Sequence, residues 1–143
     1  MGFSFVTEIP SPDVIRERFP LAPELAARKK ERDEEIKKII TGESDKLLVI
    51  VGPCSADNEE AVVDYVSRLV KVQEKTKDRL VIVPRVYTNK PRTTGEGYMG
   101  MIHQPDPEKK PDMLEGILAI RHMHMRVLPV SYTHLTLPTI LRV

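Results

Sequence analysis

Two groups of chemically capable residues each stand at the end of an apolar run. In the first, Leu47-Leu48-Val49-Ile50-Val51 leads into Gly52-Pro53-Cys54-Ser55. In the second, Leu80-Val81-Ile82-Val83-Pro84-Arg85-Val86-Tyr87 leads, after Thr88 and Asn89, into Lys90-Pro91-Arg92-Thr93-Thr94. Cys54 is the single cysteine, which excludes an intrachain disulfide. Its thiolate is suited to a borderline transition metal; the alternative is a small buried hydrophobe without chemistry. Gly52 permits an unusual backbone turn ahead of it and Pro53 fixes the next one. Arg85, Lys90 and Arg92 form a cationic cluster. Arg suits bidentate contact with phosphate or carboxylate, Lys supplies a point charge, and Thr93 and Thr94 add hydroxyl donors. Pro91 biases Lys90 toward extended backbone. A solvated basic loop would have the same composition, but Arg85 lies inside an apolar strand pattern, where an unpaired charge is costly. An anion site is therefore the favoured reading.

Other chemistry-bearing residues carry less. Gly95-Glu96-Gly97-Tyr98-Met99-Gly100 matches GxGxxG, but the dinucleotide fingerprint requires a strand directly before it and a helix opening from it. Here Lys90 to Thr94 intervenes and Met101 to Pro107 is not helical, so these glycines read as giving the loop freedom to close over a ligand. His122 and His124 stand two apart on a predicted helix and face different sides. They read as surface or helix-end residues, and His103 in the loop is ambiguous.

Short apolar runs bounded by turn formers are the pattern of buried strands in a parallel sheet. Such sheets carry their chemistry at the C-terminal strand ends. The elements around the two runs fit this. A proline-punctuated arm covers Met1 to about Leu21, with a helical turn near Pro12–Phe19, capped by Ser11 with Pro12 at the first helical position. A charged helix is expected from Glu24 to Ile40, with Leu25, Ile36, Ile39 and Ile40 as its apolar contacts and Gly42 as its stop. Then come the strand Leu47–Val51 and a helix from Glu59 to Lys75, on which Val62, Tyr65, Val66, Leu69 and Val72 recur at helical spacing. Asp57 with Glu60 fits a capping box, and Asn58 is a competing cap. The strand Leu80–Val86 follows, then a loop from Thr88 to Pro111 whose length suggests function. A last helix is expected from about Asp112 to Leu128, with Met113, Leu114, Ile117, Leu118 and Ile120 on its apolar side. The order predicts an α/β fold: two βα units with right-handed crossovers behind a helical N-terminal extension.

The totals narrow the function classes. The chain of 143 residues carries 22 Lys and Arg against 21 Asp and Glu, a net charge of +1, without the basic excess of a nucleic-acid binder. There is no signal-peptide pattern and no apolar stretch of membrane-spanning length. A cytoplasmic protein without nucleic-acid or membrane partners is expected.

Taken together, Gly52-Pro53-Cys54-Ser55, Arg85-Val86-Tyr87 and Lys90-Pro91-Arg92-Thr93-Thr94 closely resemble the class I 3-deoxy-D-arabino-heptulosonate 7-phosphate synthases, over roughly Ile9 to Leu128. The resemblance implies a (β/α)8 TIM barrel, of which this chain holds the first two βα units. It implies condensation of phosphoenolpyruvate with erythrose 4-phosphate, the first step of the shikimate pathway, helped by a divalent metal (Mn, Fe, Co or Zn). Cys54 matches the family's metal-binding cysteine. Arg85 and Lys90 match residues that hold phosphoenolpyruvate, and Arg92 and Thr93 match the erythrose 4-phosphate site. It further implies homo-oligomerisation of the full-length parent and feedback by an aromatic amino acid. The chain departs from the family pattern at Ala56-Asp57-Asn58, where Ile-His-Asp is usual, at Pro84, where Met is common, and in the longer segment Gly95 to Tyr98.

A TIM barrel takes roughly 250 residues, and the family's remaining metal ligands and phosphate-binding cations come from later strands. Residues 1–45 are read as the extension, 46–128 as a partial barrel and 129–143 as a non-native tail. Val130 to Thr139 resembles the in-frame translation of a transposase end and sequencing adapter, although Leu135, Leu137 and Ile140 also give the partial alternation of a strand. The expectation is a truncated reading frame that is insoluble or molten and inactive alone. The reading from a different functional class is a non-catalytic phosphate-binding or regulatory module built on Arg85, Lys90 and Arg92.

Overall fold

A computed structural model describes Gly2, Phe5 and residues 7–90 and 96–131 of the chain. Ser11 and Pro12 open a short helix α1 (Pro12–Arg18) as their types dictate. The Ser11 hydroxyl accepts from the Val14 N–H, and Pro12 occupies the first turn, where its missing donor is harmless. Ile15 is buried. The arm is held to the last helix: Arg121 Nη2 donates to the Phe19 carbonyl at 2.9 Å, and the Phe19 and His122 rings meet edge-on at 6.1 Å.

Helix α2 (Pro23–Ile40) buries none of its residues. Ile40, expected as an apolar contact, is 73% exposed. The helix is laced instead by the pairs Lys29–Asp33 and Arg32–Glu35, and Lys46 reaches back to Glu35 at 2.8 Å. Gly42 ends it with φ +77. The Gly42 N–H donates to the Ile39 carbonyl and the Glu43 N–H to the Lys38 carbonyl, the two bonds of a Schellman stop.

Strand β1 (Leu47–Val51) and strand β2 (Leu80–Pro84) pair in parallel, Leu47 opposite Leu80 through Val51 opposite Pro84. The crossover is α3 (Glu59–Thr76), whose Val62 and Val66 are buried. Asn58 wins the capping competition: its side chain accepts from the Ala61 N–H at 2.9 Å. The apolar stripe stops short of Val72, which is 46% exposed, and the next residue, Gln73, is buried in its place. Gln73 Nε2 donates to the Leu80 carbonyl at 2.9 Å and its Oε1 accepts from the Ile82 N–H at 2.5 Å. One side chain of α3 thus satisfies the outer edge of β2. Strand β2 ends at Pro84, two residues before the predicted Val86, because its partner β1 turns away at Gly52. Only the Arg85 N–H continues the ladder, donating to the Val51 carbonyl at 2.9 Å.

Helix α4 (Met113–Ser131) is capped by Asp112, whose carboxylate accepts from the Glu115 N–H at 3.1 Å. It continues through Pro129, past the expected end at Leu128, and Val130 still packs on the core. The core is shared by Val62 and Val66 of α3, Ile120, Met123 and Val127 of α4, and Ala56, Val86 and Met101 of the connecting segments. The apolar side of α4 is rotated from the one expected: Met113 is exposed, and the buried arc includes Arg121 and His124. His124 is therefore an interior residue, against the surface or helix-end reading. Among the described residues no helix is long and apolar enough to cross a membrane. Residues 132–143, on which most of the tail reading falls, lie outside the described residues.

Candidate functional site

Parallel pairing places the C-terminal ends of β1 and β2 side by side, and the segments leaving them are tied together. Gly52 is required here for close approach, not for a left-handed turn: its φ is not among the positive ones, and a Cβ at this position would overlap the Arg85 carbonyl. The Ala56 N–H donates to the Tyr87 carbonyl at 2.9 Å, which closes the second tie. Gly100 makes a comparable approach from the long loop. Its φ is +101, and a Cβ there would lie 2.5 Å from the Thr88 carbonyl. Met99 accepts from the Lys90 N–H at 2.9 Å and the Ile102 N–H donates to Thr88 at 3.2 Å. Gly100 is thus pinned by packing, which corrects its reading as a source of loop freedom. Among the described residues no helix opens from Gly97 or Gly100, as the rejection of the dinucleotide fingerprint expects.

The side chains converge on this seam. Arg85 Nη2 donates to the Pro53 carbonyl at 2.8 Å, and its guanidinium lies over the Tyr87 ring, 5.1 Å from the centroid. Lys90 Nζ donates to Cys54 Sγ at 3.3 Å. Cys54 is exposed, so the buried-hydrophobe alternative falls. The Ser55 hydroxyl is buried and finds no partner among the described residues. Among those residues the contacts of Arg85 and Lys90 are with a carbonyl, a ring face and a thiol, and no carboxylate neutralises either cation. Two positive charges without a carboxylate partner among the described residues are an arrangement chemically suited to an anion. Arg92 and Thr93, the other predicted substrate residues, lie outside the described residues.

As a metal centre the donor set is incomplete. Cys54 supplies one sulfur, it is engaged by an ammonium, and among the described residues no group of three His, Cys, Asp or Glu converges. A structural or catalytic metal needs three or four protein donors, so these residues do not by themselves fit one. A separate cavity of about 620 Å³, lined by Phe19, Glu59, Lys109, Leu118 and His122 among others, includes neither Cys54, Arg85 nor Lys90. On its wall Glu59 pairs with His122 at 2.9 Å and with Arg126, which also holds Glu60. This cluster joins the start of α3 to α4. Burial raises the Glu59 carboxyl, but the hydrogen bonds from His122 and Arg126 outweigh it and hold the group below its ordinary range.

Tyr87 and Ser55 belong to the two sequence motifs, which by themselves give them no role of their own. A signal for Tyr87 exists: it stands two residues after Arg85 in an extended run, and alternate residues of such a run share a face.

The sequence matches the DAHP synthetase I family over residues 24–124. The chain belongs to that family. The DAHP synthetase I match takes in α2, both strands, α3, and Cys54, Arg85 and Lys90. The chain is 41% identical over 100 residues to the phospho-2-dehydro-3-deoxyheptonate aldolase of Haemophilus influenzae, covering 70% of this chain and 27% of that protein. It is 36% identical over 118 residues to the Phe-sensitive phospho-2-dehydro-3-deoxyheptonate aldolase of Escherichia coli, covering 82% and 33%. The solved structure of the Francisella tularensis phospho-2-dehydro-3-deoxyheptonate aldolase is similar with a TM-score of 0.87 at 26% identity, covering 94% of this chain and 39% of that one. The chain therefore spans about a third of the length of these curated relatives.

Proposed function

We propose that this chain carries the opening part of a 3-deoxy-7-phosphoheptulonate synthase, with its two βα units beginning a (β/α)8 barrel. The reaction joins phosphoenolpyruvate to erythrose 4-phosphate with water and releases phosphate. Arg85 and Lys90 receive phosphoenolpyruvate, and Arg92 and Thr93 receive the phosphate of the sugar. The observation that carries this reading is that two cations, without carboxylate partners among the described residues, reach the same loop at paired strand ends. Holding two anionic substrates in one orientation is itself catalytic, because it removes translational freedom from the encounter. Cys54 is proposed as one thiolate ligand of a divalent metal whose further ligands lie beyond the described residues. An aromatic amino-acid effector is proposed by analogy with the Phe-sensitive relative, together with a homo-oligomeric, cytoplasmic parent.

The chain alone is expected to bind phosphoenolpyruvate without turning it over. Isothermal titration of the 143-residue chain tests this, alongside near-UV circular dichroism to establish fixed side-chain packing: saturable binding that disappears in Arg85→Ala is expected, and no saturable binding by unaltered chain with a near-UV spectrum sinks the reading. The second reading, a non-catalytic phosphate-binding module, draws on the single metal donor. It expects inorganic phosphate to bind as tightly as phosphoenolpyruvate, whereas the synthase reading expects phosphoenolpyruvate to be preferred.

A further inference from the structure

We infer that Tyr87 is a positioning residue: its ring face holds the guanidinium of Arg85 in the orientation that receives the anionic substrate. The inference rests on the proposed function for the identity of that substrate and on geometry for the rest. Arg85 leaves the end of β2 with five donors to place. Structural arginines are commonly fixed by a carboxylate, which would also neutralise them. Among the described residues Arg85 is fixed otherwise. One edge is anchored at 2.8 Å by the Pro53 carbonyl, and the plane is supported by Tyr87 with the guanidinium carbon 5.1 Å from the ring centroid. A carbonyl and a quadrupole orient the group without cancelling its charge, and a planar fork needs its plane set before it can make bidentate contact. Tyr87 is itself held in place, because its carbonyl accepts from the Ala56 N–H at 2.9 Å. The same residue therefore braces the Cys54 loop through its backbone and the anion-binding cation through its ring.

The ring face does the work, so Tyr87→Phe retains the function and Tyr87→Leu loses it. The test measures two quantities on the full chain: the affinity for phosphoenolpyruvate by isothermal titration, and the chemical shift of the Arg85 Nε–H proton by NMR, which an aromatic face moves upfield. The expected result is near-equal affinity for the unaltered chain and Tyr87→Phe, and about fivefold weaker affinity for Tyr87→Leu. The upfield shift should be present in the first two and gone in the third. Unchanged affinity in Tyr87→Leu, or an Arg85 resonance that does not move, overturns the inference while leaving the proposed function intact. If the unaltered chain binds no phosphoenolpyruvate but the shift disappears in Tyr87→Leu, the stack stands and the proposed substrate falls. Tyr87→Met is the second non-aromatic variant should Tyr87→Leu not fold.

Discussion

At the strand-end seam, space and charge act together on Gly52, Cys54, Arg85 and Lys90. Gly52 has no room for a Cβ because the Arg85 carbonyl occupies that volume. Gly52→Ala is expected to push the two strand ends apart, lowering stability by on the order of 1–3 kcal/mol as overpacking does, and to weaken anion binding through displacement of Arg85. Gly97→Ala is the control. Its φ is +82 but its surroundings are open, so it should show only the penalty for left-handed backbone, about 1 kcal/mol, with binding unchanged. Urea unfolding and phosphoenolpyruvate titration measure both, and equal effects of the two substitutions would contradict the close-approach argument. Cys54, Arg85 and Lys90 were legible as a site because a charge inside an apolar run and a thiol beside a turn are local signals. The Lys90–Cys54 contact was not, since it joins residues from the two separate strand ends.

At the scale of elements, the helices and the parallel strand pair could be read from periodicity and caps, whereas the side chains that join elements could not. Gln73 stands four residues after Leu69 on the same face of α3 as Val62 and Val66, but a search for apolar residues alone passes over it, yet it closes the outer edge of β2. Gln73→Met should leave the Leu80 carbonyl and Ile82 N–H without this partner in a half-buried position, a loss of about 1 kcal/mol for each group. Gln73→Glu keeps the acceptor for Ile82 and should fall between the two in urea midpoint. The pairing of α3 with α4 through Glu59, Glu60, His122 and Arg126 has a definite pH response. Arg126 holds the Glu60 carboxyl below its ordinary 4.5, and His122 and Arg126 together overcome the opposing effect of burial at Glu59. Depressed carboxylates stabilise the fold above 4.5 and lose that contribution as the pH falls through their lowered values. The urea midpoint of dilute chain should therefore drop as the pH falls below 4.5, and Arg126→Ala should flatten the part of that drop due to Glu59 and Glu60, leaving the part due to Glu35 and Asp106. A slope unaltered by the substitution would place the response elsewhere.

For the whole molecule, the two edges of the sheet are unequal, and this determines how the isolated chain behaves. The outer edge of β2 is occupied by Gln73, and Pro84 has no N–H to offer a further strand. The outer edge of β1 is unpaired among the described residues, and the strand carries exposed apolar side chains: Leu47 is 66% exposed and Ile50 49%. An open edge with apolar flanks pairs with another chain, and charged side chains at such an edge oppose it. The chain is therefore expected to associate with rising concentration through β1 and not through β2. In sedimentation velocity, the double variant Leu47→Lys with Ile50→Lys should remain monomeric at concentrations where the unaltered chain forms larger species, and should bind less of a hydrophobic dye. A charge added beside β2, Ile82→Lys on the strand itself, should leave association as strong as before in whatever fraction remains folded. If the β1 variant associates as readily as the parent chain, the sticky surface is not this edge. The exposed end of the α3 stripe at Val72 then becomes the next place to introduce a charge.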